Sequence, residues 1–159
     1  MTPADFYKTV LAPAAVAFNP DMYDSIEARC LLLAIAGQES AWSCRIQQPI
    51  GYARGFWQCE EFGAVAGVLS GRPTQMAKVC QLFAVSPDRA TVFEAIAYHD
   101  ALAYTVARFA LAMDPLKLPA VGDQTGSYQT YLRVWNPGKP DAARWAGVYP
   151  KAVAVIQGN

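Results

Sequence analysis

The chain has 159 residues, of which 53% are apolar and 16% charged, so it is long enough to bury a core as one domain, and disorder is not expected. Its formal net charge is zero, and its 13 basic residues are scattered. This balance argues against binding to nucleic acid or to an anionic membrane surface. The longest apolar run, residues 30–37, is too short to span a bilayer, so we expect no membrane insertion.

Helical periodicity dominates, and no stretch alternates as a strand would, so the sequence predicts a single all-α domain over residues 1–159. An irregular or hairpin-like segment is predicted at residues 43–58, which contain one proline and two glycines. In chain order, the predicted helices span residues 3–16, 24–40, 60–69, 73–83, 87–113, 124–135 and 140–156.

Capping signals set several of these boundaries. The first helix is expected to end near Asn19 and Pro20, and the second to begin at Asp24, with Glu27 as its capping-box partner. Ser86 before a proline predicts the start of the longest helix, residues 87–113.

The four cysteines, Cys30, Cys44, Cys59 and Cys80, are widely spaced, and the chain has one histidine. Zinc sites use closely spaced cysteine and histidine ligands, so we expect no metal and no cofactor. Free thiols in a reducing compartment are favoured, with a bridge between Cys44 and Cys59 as the alternative. The first 18 residues lack the basic region and long apolar core of a secretory signal, so we expect them to belong to the mature protein.

Glu39 stands where the long apolar stretch ends. Helical steps back from it reach Ile35, Leu32 and Ala28, so its carboxyl extends an apolar stripe. Burial there and the negative end of the helix dipole would both raise its pKa, as a general acid requires. The alternative is that Glu39 simply reaches solvent at a helix end.

A second motif, ARGFWQ, follows in the irregular segment. A Glu-Ser pair at the end of an apolar helix, followed by a loop with Gly-x-x-Gln, resembles the lytic transglycosylase branch of the lysozyme superfamily. The resemblance covers about residues 25–60. It implies that Glu39 is the catalytic acid/base and Ser40 its helix-end neighbour. It also implies that Gly55 allows close backbone approach, that Trp57 takes the family's Met position, and that Gln58 shapes the sugar site.

A later helix of this family carries Ala-Tyr-Asn, and Ala97, Tyr98 and His99 resemble it with His in place of Asn. The resemblance implies that Tyr98 hydrogen-bonds near Glu39. The alternative is that Tyr98 is an ordinary residue of the helix core. The chain is also similar to phage-encoded cell-wall lysozymes, which implies a virion or host-cytoplasm location and action on the periplasmic wall.

No Asp or Glu lies between Glu39 and Glu60, which favours a mechanism with one carboxyl group. The resemblance then implies non-hydrolytic cleavage of the MurNAc–GlcNAc β-1,4 bond of peptidoglycan, leaving 1,6-anhydro ends. A hydrolytic muramidase that uses Glu60 as second carboxylate is the alternative, with Glu61 as its neighbour and Asp100 as a weaker candidate. A catalytically silent module that binds glycan or assembles with other virion proteins is the third possibility.

Aromatic and polar side chains complete the predicted site. Tyr128, Tyr131 and Trp135 share one helical face, which is either a core face or the wall of a sugar groove. Further candidates for sugar stacking are Trp42 and Phe56, for amide hydrogen bonds Gln47, and for the anionic groups of murein Arg45 and Arg54.

Overall fold

The computed structural model describes residues 1–17, 24–49 and 51–158. It is mostly helical, with 66% helix and 3% strand, which confirms the all-α fold class. The helices are α1 (Pro3–Phe6, a π-helical stretch Tyr7–Leu11 and Ala12–Ala17), α2 (Ile26–Ser40), α3 (a π-helical stretch Glu61–Val65 and Ala66–Gly71), α4 (Pro73–Leu82), α5 (Arg89–Ala95), α6 (Asp100–Met113), α7 (Gln124–Trp135) and α8 (Ala142–Ile156). The strands are β1 (Ala53–Arg54) and β2 (Cys59–Glu60).

Helix α2 forms the centre of the core. Most of its residues are buried, and it packs mainly against α8. The predicted cap at Asp24 is wrong by one residue, because Ser25 accepts the hydrogen bond from the Ala28 amide at 3.2 Å. Asp24 instead pairs with Arg29, which it binds through both carboxylate oxygens. The helix ends at Ala41, whose φ of 51° is left-handed, so the chain turns sharply just after Glu39 and Ser40.

The predicted helix over residues 87–113 is wrong, since a turn divides it into α5 and α6. The side chain of Asp88, not Ser86, caps α5 by accepting from the Thr91 amide at 2.9 Å.

After α5, the amides of Tyr98 and His99 both bond to the carbonyl of Ala95. His99 Nδ1 then accepts from the amide of Leu102 at 3.3 Å and starts α6. These local caps override a helical periodicity that continues through the turn.

Strands β1 and β2 form an antiparallel hairpin in which Ala53 pairs with Glu60 and Arg54 with Cys59. This agrees with the hairpin-like segment predicted from the sequence. Gly55 turns the chain with a φ of 70°, and a Cβ there would lie 3.0 Å from Ala103 Cβ. Only glycine therefore lets the hairpin rest directly on α6.

The other helices begin and end close to the predicted limits. The first helix reaches Ala17, and the predicted end near Asn19 and Pro20 lies outside the described residues. The segment predicted as helix 60–69 begins with a π-helical stretch, inside which Gly63 has non-helical φ and ψ angles. None of the helices in the described parts of the chain has the length and apolar character needed to cross a membrane.

Candidate active site

A groove of about 680 Å³ opens beside the C-terminal end of α2. Its walls come from the β hairpin, from α3, from the last turn of α7 and the residues after it, and from the first turn of α8. Five of the residues predicted for the site line this groove: Glu39, Gln58, Glu60, Tyr131 and Trp135. Gln47, a predicted amide partner, lines it too.

The carboxyl group of Glu39 is half-buried in this groove. The hydroxyl of Tyr131 donates a hydrogen bond of 2.7 Å to its Oε1 atom. Burial raises the pKa of Glu39, while the bond from Tyr131 and the charge of Arg144 oppose the rise and the charge of Glu60 adds to it. Glu39 therefore has the raised pKa that the sequence predicts from burial, and one oxygen is oriented by a fixed donor.

Tyr131 is held rigidly by its neighbours. Its ring stacks on Trp145, with centroids 5.1 Å apart and planes 17° from parallel, and on Tyr128 at 6.0 Å. Burial, followed by the bond to Glu39, raises the pKa of Tyr131. The hydroxyl consequently stays protonated and acts as a donor to the carboxylate over the whole physiological pH range.

Gln58 lies on the β hairpin and Trp135 in the last turn of α7, and a hydrogen bond joins these two elements. Gln58 has a left-handed φ of 48°, and its Nε2 donates to the carbonyl of Gly55 at 2.8 Å. The indole nitrogen of Trp135 donates to the carbonyl of Trp57 at 2.9 Å. This bond fastens the last turn of α7 to the hairpin, so the Gln58 and Trp135 sides of the groove are fixed relative to each other.

Four residues carried over from the resemblance lie outside the groove. Tyr98 is 78% exposed in the turn before α6, and Tyr131 makes the bond to Glu39 that Tyr98 was expected to make near it. Trp57 has no exposed surface and donates to the carbonyl of Leu32 at 2.9 Å. Buried Ser40 donates to its own helix, at the carbonyl of Ala36. Gly55 approaches α6 rather than the groove.

The predicted anion-binding arginines are engaged elsewhere. Arg45 forms two hydrogen bonds of 2.8 Å with Asp100, which accounts for both side chains. Arg54 lies 3.6 Å from Glu94 and above the ring of Phe93.

The remaining candidates pack away from the groove. Glu61 pairs with Arg89. Trp42 and Phe56 are buried core residues, and Tyr128 packs against the rings of both Tyr131 and Trp145.

The groove residues that the sequence did not predict include Gln38, Lys139, Asp141 and Arg144. The Nη2 atom of Arg144 donates to the carbonyl of Gly37 at 3.0 Å, close to Glu39. This contact depends on the packing of α8 against α2, two elements far apart in the chain. No local sequence pattern reveals this contact. Gln38, by contrast, is adjacent to Glu39 in the sequence, and that position is a signal by which it could be predicted as a site residue.

Within the described residues, no three His, Cys, Asp or Glu side chains are grouped closely enough to hold a metal ion. The four cysteines are free thiols; Cys44 is exposed and the other three are buried. Comparison of the chain with protein-family models, with curated proteins and with solved structures found no match in any of the three.

Proposed function

We propose that this protein is a peptidoglycan-degrading enzyme that cleaves the MurNAc–GlcNAc β-1,4 bond, with Glu39 as its acid/base. The observation that carries the proposal is the carboxyl of Glu39, whose pKa is raised by burial and which faces a groove of about 680 Å³. A protonated carboxyl in a groove of that size can donate a proton to a glycosidic oxygen. The sequence resemblance supplies the substrate class.

The chemistry needs one carboxyl group in two protonation states. Protonated Glu39 gives its proton to the glycosidic oxygen while the bond from that oxygen to C1 breaks. The carboxylate then takes the proton of the C6 hydroxyl, whose oxygen forms the new bond to C1 and closes a 1,6-anhydro ring. Tyr131 supports the second state, because its hydrogen bond at 2.7 Å favours the carboxylate.

Hydrolysis is the second candidate, and one observation favours it. Glu60 lines the same groove as Glu39, and its charge contributes to the raised pKa of Glu39. A second carboxylate facing the scissile bond could activate a water molecule, which would leave a reducing end instead of an anhydro ring.

Product analysis separates these reactions. Purified murein sacculi are incubated with the protein, and the released fragments are analysed by mass spectrometry. Anhydro ends, one water lighter than reducing ends, are expected for the transglycosylase. Release of neither product, with the protein still retained on sacculi, would leave a glycan-binding module without catalytic activity and overturn the proposal.

Glu39→Gln tests the role of the acid. We expect a folded protein whose rate of murein cleavage falls by about 10²-fold or more, the usual contribution of a general acid. Glu60→Gln is the matched variant in the same groove, and it should retain activity if Glu39 works alone. Full activity of Glu39→Gln contradicts the mechanism, while loss in both variants with reducing-end products places hydrolysis first.

A further inference from the structure

A cluster of polar residues surrounds the start of α8 at one end of the groove. Gln38 Nε2 donates to the carbonyl of Asp141 at 3.0 Å, across 103 positions of the chain. Asp141 caps α8, since its Oδ1 accepts from the amide of Arg144 at 2.8 Å. Lys139, two residues before Asp141, lines the groove with them.

Gln38 brings an unsatisfied acceptor to this cluster. The residue is only 6% exposed, and its Oε1 atom is buried without a hydrogen-bond partner, while its amide nitrogen already binds Asp141. A buried acceptor left without a donor is unfavourable, because it has given up its hydrogen bonds to water. Because Gln38 lines the groove, a rotation of its side-chain amide would present this oxygen to an N–H or O–H group of a bound molecule.

Lys139 and Arg144 bring positive charge to the same end. Among the residues that the structure describes, five other arginines have a carboxylate within ion-pair distance. Neither Lys139 nor Arg144 has such a partner there. The side chain of Arg144 donates to the carbonyl of Gly37 and its charge acts on Glu39, while Oδ1 of the nearby Asp141 accepts the helix-capping bond. The cluster thus offers two cations and one buried acceptor to the groove.

We propose that Gln38, Lys139 and Arg144 form a subsite for an amide-linked carboxylate carried by the substrate sugar. In peptidoglycan this group is the acyl-amino-acid arm of the muramyl residue, whose amide N–H matches Gln38 and whose carboxylate matches the two cations. This inference rests on the proposed function and adds a specificity to it. Polymers of N-acetylglucosamine lack the arm and would leave the subsite empty.

The test compares two forms of one ligand. The acid form is the GlcNAc–MurNAc disaccharide bearing a dipeptide with free carboxylates, and the neutral form is its methyl ester. Both are titrated calorimetrically into the wild-type protein, into Lys139→Gln and into Lys151→Gln, which removes an exposed lysine of α8 outside the groove. We expect the wild type to favour the acid form by about three- to tenfold, as for partly exposed charge pairs.

Lys139→Gln should lose most of this preference, and Lys151→Gln should keep it. A depsipeptide analogue, in which an ester oxygen replaces the amide N–H, should bind the wild type more weakly than the dipeptide. Equal binding of acid and ester forms by the wild type, equal preference in both variants, or no saturable binding of the acid form overturns the subsite. Cleavage of sacculi without that preference leaves the proposed function intact, whereas preference without cleavage refutes only the catalytic role.

Discussion

The carboxyl group of Glu39 is subject to opposing influences. Burial and the charge of Glu60 favour its neutral form, while the hydroxyl of Tyr131 and the charge of Arg144 favour the carboxylate. Burial is the largest of these, so the net pKa is raised. An acid/base that must both give and take a proton benefits from this balance, because neither state is strongly disfavoured.

Tyr131→Phe tests how the hydroxyl of Tyr131 influences the pKa of Glu39, because the substitution removes one oxygen atom. The ring is kept, so its stacking on Trp145 survives, but the donor to Glu39 Oε1 is lost. Since that bond lowers the pKa of Glu39, its removal should raise the pKa further.

In a pH–rate profile of murein cleavage, activity that requires protonated Glu39 falls as the pH rises through this pKa. We therefore expect the alkaline limb of the Tyr131→Phe profile to move to higher pH. Tyr98→Phe, at an exposed position outside the groove, is the control and should keep the wild-type profile. If the alkaline limb of Tyr131→Phe stays in place or moves to lower pH, the hydrogen bond from Tyr131 does not lower the pKa of Glu39.

At the scale of elements, the part of the site that the sequence predicts is the part that is local in the chain. The apolar run ending at Glu39 and the glycine-rich hairpin carrying Gln58 both have local signatures. The Tyr131 contact with Glu39 spans 92 positions of the chain, and it exists because α7 and α2 both pack against α8. Sequence patterns mark Tyr131 as part of an aromatic face but do not say which element that face meets, and the family resemblance implies Tyr98 for this bond instead.

Helix α3 forms a groove wall with small side chains. Substitutions at Gly67 test whether the substrate runs along this wall. Among the described residues outside its own helix, the atom nearest to a Cβ at Gly67 would be Met113 Cε, at 3.9 Å, so alanine fits. Gly67→Ala should stabilise the helix by about 0.5–1 kcal/mol and leave cleavage intact. Gly67→Phe should keep the fold but fill the groove, raising KM for murein strands at least severalfold.

The matched pair makes the result specific, because both variants add a side chain at one position and differ only in its size. Circular dichroism melts report the fold, and steady-state kinetics report the groove. If Gly67→Phe cleaves murein as well as Gly67→Ala does, then the substrate does not run past α3.

For the molecule as a whole, Trp145 contributes both to the stability of the fold and to the position of Tyr131 in the candidate site. It is buried, stacks on Tyr131 from α7, and also stacks on Tyr149 within α8, at 5.6 Å. Trp145→Ala should lower the free energy of unfolding by about 3–5 kcal/mol, the usual cost of removing a large buried aromatic side chain. Urea unfolding monitored by circular dichroism measures the loss.

Leu116→Ala, at a residue that is 57% exposed, should change the unfolding free energy by no more than about 0.5 kcal/mol. A Trp145→Ala protein as stable as the Leu116→Ala protein would show that the aromatic stack is dispensable. Where Trp145→Ala still folds, weaker cleavage is expected, because Tyr131 loses the ring that holds its hydroxyl against Glu39.

The buried thiol of Cys59 can serve as a chemical reporter of groove opening. It lines the groove yet is 2% exposed, and burial, with the charge of Glu39, raises its pKa to about 12. Because the thiolate is the reactive form, iodoacetamide should label exposed Cys44 quickly and Cys59 only when the groove floor opens. The labelling rate at Cys59, measured by peptide mapping, would therefore report how fast the groove floor opens, and labelling as fast as at Cys44 would contradict the burial.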